Sequence, residues 1–143
     1  MPGGGFSWFG QAPAHKVLTS YGILMFSDMS RVHFVDPNII TRTQAWLASQ
    51  QKPDGSWEVD KDGIAEGIIN RQTDVLRVSA YIAWALAETN YKGPQLQKAA
   101  SYLAAHMSGV QDSYAMAVIA NALVSIDKNS DATGRALEKL VGM

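Results

Sequence analysis

Tyr81-Ile82-Ala83-Trp84-Ala85-Leu86 is apolar at every position, and a helix built on it has no polar face to turn toward water. Such a helix is stable only when it is covered on both sides. The next helical pattern differs: Leu96, Ala99, Ala100 and Leu103 recur at three- and four-residue steps, with Gln95, Gln97 and Lys98 behind them. One apolar stripe with a polar back belongs to a helix on the outside. An inner helix followed by an outer one makes an αα-hairpin.

The alternation recurs along the chain. Tyr21-Gly22-Ile23-Leu24-Met25-Phe26 and Ala115-Met116-Ala117-Val118-Ile119-Ala120-Asn121-Ala122-Leu123 are again apolar on nearly every face, and a single-striped helix follows each. Turn chemistry divides the chain into six helices. The first runs from about Pro13 to Val32, with Val17, Leu18, Tyr21, Leu24, Met25 and Met29 in helical register. Asp36-Pro37 supplies an N-cap and a first-turn proline for the second, which reaches about Gln51. Thr73 or Asp74 caps the third, ending near Thr89, and Gly93-Pro94 opens a fourth that stops near Gly109. The fifth spans Ser113 to Ile126, and the sixth runs from about Asp131 to the end.

Trp46-Leu47, Tyr102-Leu103 and Lys139-Leu140 occupy matching places in the three outer helices. The first two pairs are 56 residues apart and the last two 37, the difference being the glycine-rich connection over residues 55–72. Runs of alternating β-branched residues are missing. The fold class is therefore all-α: six helices as stacked αα-hairpins, inner and outer in turn, within residues 1–143.

Composition excludes several functions. The 143 residues are 47% hydrophobic and 17% charged, the size and character of one globular unit. Twelve Lys and Arg against thirteen Asp and Glu leave a net charge of -1, so no field of one sign attracts nucleic acid. Lys16, Ser27, Asp74 and Glu88 interrupt every run approaching the roughly 18 residues of a membrane span. With no cysteine, disulfides, thiolate metal sites and cysteine nucleophiles are absent from this chain. Met1-Pro2-Gly3-Gly4-Gly5 is not a signal peptide and reads as a start placed inside a longer protein.

One turn carries more information than its length suggests. Trp46-Leu47-Ala48-Ser49-Gln50-Gln51-Lys52-Pro53-Asp54-Gly55-Ser56-Trp57 joins an aromatic–aliphatic pair to glutamines and then to Gly-x-Trp, and Gly5-Phe6-Ser7-Trp8 copies its tail. A glutamine at a helix C-terminus can satisfy free backbone groups while a tryptophan folds over the helix end. Trp46, Leu47, Gln50, Gln51, Asp54, Gly55 and Trp57 form this structural turn motif.

The turn resembles the glutamine–tryptophan motif of α/α-toroid proteins, which include terpenoid cyclases, prenyltransferase β subunits and the thioester domains of the alpha-2-macroglobulin and complement family. The closest resemblance is to the thioester domain of bacterial alpha-2-macroglobulin-like proteins. Three stretches carry it together: Leu18-Thr19-Ser20-Tyr21-Gly22 with Phe26-Ser27-Asp28-Met29, then Thr43-Gln44-Ala45-Trp46-Leu47 to Trp57, then Ser79-Ala80-Tyr81-Ile82 with Ala85-Leu86-Ala87-Glu88. It extends from about Gly4 to the C-terminus and implies a ring of six helical hairpins, of which this chain is the C-terminal half. The family's Cys-Gly-Glu-Gln thioester would lie upstream. The implied role is that of a non-catalytic wall shielding the thioester of a protease inhibitor or defence protein, extracellular or periplasmic. Target proteases and the other domains of the parent are the implied partners. Thioester proteins that prefer hydroxyl targets carry a histidine before the third helix; residues 58–73 contain none, which by analogy implies a preference for amines. A helical-repeat interaction module, or the non-catalytic half of a toroid enzyme, is the alternative.

Other candidate sites have plainer readings. His15, His33 and His106 lie at helix ends without a companion at metal-ligand spacing and read as solvated or as helix-dipole partners. A calcium loop counted from Glu58 places Asp60, Asp62 and Gly63 correctly but has Ile69 where a bidentate glutamate belongs. Asp54 with Glu58 or Asp60 would suit a glycosidase, yet Asp54 is accounted for as a turn residue before glycine. No aspartate-rich cyclase motif, zinc-ligand set or nucleophile elbow is present. The chain thus implies no catalytic residue, metal or cofactor. Trp46, Trp84, Met25, Met29 and Met116 are read as core, whereas Phe6, Trp8 and Phe9 lie at an edge. The first helix or the sixth is expected to expose apolar surface and favour self-association.

Overall fold

The computed structural model describes residues 3–7, 9–60 and 71–143, the side chains of residues 71–73 excepted. It contains α1 (Lys16–Met29), α2 (Pro37–Ser49), α3 (Arg71–Glu88), α4 (Gln95–His106), α5 (Ser113–Asp127) and α6 (Asp131–Val141), with one 3₁₀ turn, Met107–Gly109, after α4. Among the described residues there is no strand, and no helix is long and apolar enough to cross a membrane. The glycine-rich connection and the acidic loop compared with a calcium site fall largely on residues 61–70, outside those described.

The caps explain most boundaries. Asp36 accepts from the Asn38 N–H, with Pro37 at the first helical position of α2. Asp112 accepts from the Tyr114 and Ala115 N–H groups to open α5, and Ser130 from Thr133 to open α6. Two starts differ from the sequence reading. α1 begins at Lys16 rather than Pro13, because His15 is the N-cap: its Nδ1 accepts from Leu18 N, while its own N–H donates to Phe6 O at 2.7 Å. α3 begins at Arg71, so neither Thr73 nor Asp74 is its cap. Asp74 lies in the first turn, where the helix dipole favours a carboxylate, and is buried in an ion pair with Arg77. α3 ends on Asn90 at φ +63, with Tyr91 N–H returning to Leu86 O at 2.9 Å, the left-handed cap that short polar side chains tolerate.

The inner helices stack in the order α1, α3, α5, and α2, α4 and α6 cover them; α3 packs on both α1 and α5. Two apolar clusters meet on α3. Ile82, Ala83, Ala85 and Leu86 join Ile23, Leu47, Trp57 and Ala99 on one side. Leu76 and Ala80 join Leu103, Met107, Met116, Ile119 and Leu123 on the other. Successive inner helices are thus covered as an α/α-toroid segment requires.

α1 and α5 both depart from the reading of the inner helices as covered on every face; on α5, Tyr114, Asn121 and Val124 are exposed. Tyr21, Met25 and Met29, four residues apart, are 54%, 46% and 43% exposed. Met25 and Met29 are therefore not core, unlike Met116, which is fully enclosed. Among the described residues, only α2 and α3 pack extensively against α1. At the far end Leu137, Val141 and Met143 are also exposed.

Candidate functional site

The turn after α2 is built from the inside outward by Trp57. Its side chain is fully buried, its Nε1–H donates to Leu47 O at 2.8 Å, and its backbone N–H donates to Ser79 Oγ at 2.9 Å. The indole therefore ties the end of α2 to the inner helix α3. Gln51 closes the other side: its Nε2 donates to Gly55 O at 3.0 Å and to Gln95 O at 2.9 Å, joining the turn to the start of α4. Gln50 points away, exposed, with only Ser49 Oγ at 3.3 Å. Replacing Gln51 by leucine is expected to cost about 1–2 kcal/mol, since two carbonyls lose their donor. Gln50→Leu should stay within about 0.5 kcal/mol. Urea denaturation of the pair checks this.

Gly55 is forced by its surroundings. It has φ +94, and a Cβ there would collide with the carbonyl oxygen of Lys98 in α4, so the turn lies directly on helical backbone. Asp54 shapes the approach, its Oδ1 accepting from Ser56 Oγ at 2.6 Å and Ser56 N at 3.0 Å. Those bonds hold its carboxyl below the ordinary carboxylate value, with Lys52 and His106 adding weaker attraction. A depressed carboxyl stabilises the fold above its unfolded value of 3.8, and that contribution disappears as pH falls through the lower folded value. Asp54→Asn should therefore weaken the fold at neutral pH, and its gap to the parent chain should narrow below pH 3.8 in urea titrations at several pH values. Tyr102 of α4 lies beside this turn, its phenol raised chiefly by burial and next by the Asp54 charge.

The N-terminal turn repeats this construction, with a shift from the register read in the sequence. Gly4 has φ +95, and a Cβ there would stand 2.6 Å from Arg42 O of α2, as at Gly55 against Lys98 of α4. Phe6 N–H donates to Thr19 Oγ1 at 2.8 Å and the Thr19 hydroxyl returns to Phe6 O at 3.3 Å. Trp57 and Ser79 exchange the same two bonds at 2.9 and 3.4 Å. Phe6, rather than Trp8, thus stands where Trp57 does; Trp8 is outside the described residues. Thr19 and Ser79 were not singled out as site residues. Their signal is present, since Leu18-Thr19-Ser20-Tyr21 and Val78-Ser79-Ala80-Tyr81 are the same pattern 60 residues apart. Phe6 packs its ring on Phe26 at 5.8 Å, while Phe9 is exposed. Trp46 and Trp84 are half-buried against the two clusters.

The remaining candidates are dispersed. His15 caps α1, His33 is exposed, and His106 ends α4, its Nδ1 2.8 Å from Tyr102 O and its ring 4.3 Å from the tyrosine ring. Glu58 pairs with Lys52 at 3.5 Å, and Asp60 pairs with Lys16 and accepts from the Lys16 N–H at 2.7 Å. Each carboxylate of the proposed glycosidase pair thus has a separate structural partner. Among the described residues no three His, Asp or Glu side chains stand together as a metal-holding group. An open cleft of about 190 Å³ between α4, α5 and the start of α6 is floored by Ala100, Ala104 and Leu123, with Gln97, Asp127 and Ser130 at its rim. On the inner surface the Tyr81 phenol is raised above 10.0 by burial first, then by the neighbouring Tyr21 and Tyr114.

The architecture agrees with the comparisons. The chicken (Gallus gallus) protein ovostatin is 30% identical over 92 residues, covering 63% of this chain and 6% of ovostatin, so the chain corresponds to a small part of that relative. The family model described as the A-macroglobulin TED domain matches residues 1–143. Stacked hairpins, repeated glycine-anchored turns and a match over the full sequence lead to one assignment: the chain belongs to the A-macroglobulin TED domain family, the thioester domains of the alpha-2-macroglobulin proteins.

Proposed function

We propose that these residues form the non-catalytic C-terminal half of a thioester-type toroid in a bacterial, secreted or periplasmic alpha-2-macroglobulin-like protease inhibitor or defence protein. The observation that carries this reading is the match of the TED family over residues 1–143 to a chain without cysteine. A thioester needs a cysteine thiol and a glutamine acyl group, so the reactive bond belongs to residues upstream. The role left to this chain is mechanical. Three hairpins form part of a wall that keeps water from the thioester until cleavage of a bait segment rearranges the protein. Capture then proceeds as the acyl carbon forms a bond to a nucleophile of the protease, which loses its proton, while the cysteine leaves as the thiol. The lack of histidine in residues 58–73 favours amines over hydroxyls as acceptors. The partners are target proteases and the other domains of the parent.

The test uses the full parent reading frame. A Cys-Gly-Glu-Gln upstream, incorporation of labelled methylamine at its glutamine, and protease adducts that methylamine pretreatment abolishes are the expected results. Absence of that sequence, or a parent that holds proteases without incorporating methylamine, overturns the covalent mechanism and leaves a helical interaction module.

A further inference from the structure

Successive hairpins follow one plan but fill it with different side chains. The outer helices α2 and α4 superpose in the register fixed by their glycine contacts, Gly4 against Arg42 and Gly55 against Lys98. Gln44 of α2 then matches Ala100 of α4. The inner helices α3 and α5 superpose where the buried run Ile82, Ala83, Ala85, Leu86 recurs as Ile119, Ala120, Ala122, Leu123, which matches Thr89 to Ile126. α6 follows α4 at the same spacing, so Ala132 matches Gln95.

In the earlier hairpin these positions are bridged. Gln44 Nε2 reaches from α2 to the end of α3, donating to Thr89 O at 2.8 Å and to Thr89 Oγ1 at 2.9 Å, and the Tyr91 phenol donates to Gln95 Oε1 at 2.7 Å. In the later one both glutamines are alanine. Ala100, Ile126 and Ala132 line the open cleft of about 190 Å³ between α4, α5 and the start of α6. The two walls and the floor are neighbours in the array, all in place, so the cleft is open because its side chains are short.

We propose that this cleft docks a polypeptide partner that presents a glutamine side chain, its carboxamide taking the place that Gln44 fills one hairpin earlier. This rests on the repeat of the hairpins alone and goes beyond the thioester reading. Ile126 lies in the last turn of α5, where terminal carbonyls have no intrahelical donor and the helix dipole is negative, so N–H groups are favoured. Asp127 on the rim adds a further acceptor. Ala100, Ala104 and Leu123 give the methylenes an apolar floor, and the Gln97 amide can donate to an incoming carbonyl. A neutral carboxamide meets both kinds of partner without the desolvation cost of an ammonium group over alanine and leucine.

NMR titration of the isotope-labelled chain with N-acetylglutamine methylamide tests this, with the leucine and lysine derivatives as comparisons. A saturable shift of the Ser101, Asp127 and Ala132 amides is expected at roughly millimolar probe, as suits a ligand of this size, and about fivefold weaker binding for either comparison. Ala100→Gln restores the missing side chain from within, so it should raise Tm by a few degrees and abolish the response to the probe. Ala132→Gln restores the second glutamine and serves the same purpose if Ala100→Gln fails to fold; the titration of the unaltered chain stands without either. No saturable shift, an equal response to the three probes, tighter binding of the lysine derivative, or a response that survives in a folded glutamine variant overturns the proposal. Movement of the same peaks on concentrating the chain alone makes a second copy the occupant and also overturns it. None of these outcomes bears on the thioester upstream, so the two readings fail separately.

Discussion

Trp57→Ala is expected to leave the chain mostly unfolded at room temperature. Trp57 is the largest fully enclosed side chain, and it stands where α2, α3 and the turn meet. Emptying such a site costs about 3–5 kcal/mol. The same change removes the donor to Leu47 O, at about 1 kcal/mol more. Against a total stability of about 5–15 kcal/mol for a domain of ordinary size, this is a large share. Trp57→Phe should be far milder, about 1–2 kcal/mol, because a phenyl ring keeps much of the contact and only the N–H bond is lost. The protein already shows the phenyl version, with Phe6 holding the matching position against Thr19. Circular dichroism at 222 nm in a urea series separates the two variants. A loss below 1 kcal/mol for Trp57→Ala would contradict the burial of the indole.

Gly55→Ala is the second large effect, and it comes from one methyl group. At φ +94 an L-residue carries backbone strain of about 1–3 kcal/mol, and here the added carbon also meets a carbonyl of helical backbone. Flexible side chains can swing aside, but Lys98 O cannot move without distorting α4. A loss of about 3 kcal/mol or more, roughly 10 °C in Tm, is expected. Gly134→Ala supplies the opposite control. That glycine is inside α6 with open space around it, so alanine should stabilise by about 0.5–1 kcal/mol. If both changes moved Tm equally and in the same direction, the docking of Gly55 on α4 would be wrong.

The hairpin array was readable because hydrophobic periodicity reports burial directly. Tyr81 to Leu86 is apolar around the helix and lies between neighbours, and Ala115 to Leu123, apolar but for the exposed Asn121, packs on α3, α4 and α6. Asp36-Pro37 announced its helix start through the same capping chemistry that the structure uses, whereas the Asp112 cap of α5 emerged only from the structure. Periodicity could not reveal that α1 lacks a neighbour: Met25 and Met29 have the same spacing and polarity as core residues, and exposure depends on what stands opposite them. The cap of α3 was misplaced because Asp74, a good capping residue, also pairs with Arg77 one turn on. Within the turn motif, Gln51 and Trp57 were legible by residue type, but the choice between Gln50 and Gln51 depends on which side chain reaches Gln95. The register of the N-terminal copy slipped by two residues because tryptophan was sought where phenylalanine does the same work. Positive φ at Gly4, invisible in composition, sets the true alignment.

The sharing of α3 between two apolar clusters gives unfolding a direction. In a linear array each unit is held by its neighbours, so the ends loosen at less cost than the middle. α3 contributes Ile82 and Leu86 to one cluster and Leu76 and Ala80 to the other, so it can let go only when both do. Its amide protons around Ala80 to Ala85 should therefore exchange most slowly, with those of α6 and the α1 end exchanging earlier. The slowest exchange then reports the joint survival of two hairpin contacts, and the chain behaves as a short zipper whose last tooth is its central helix.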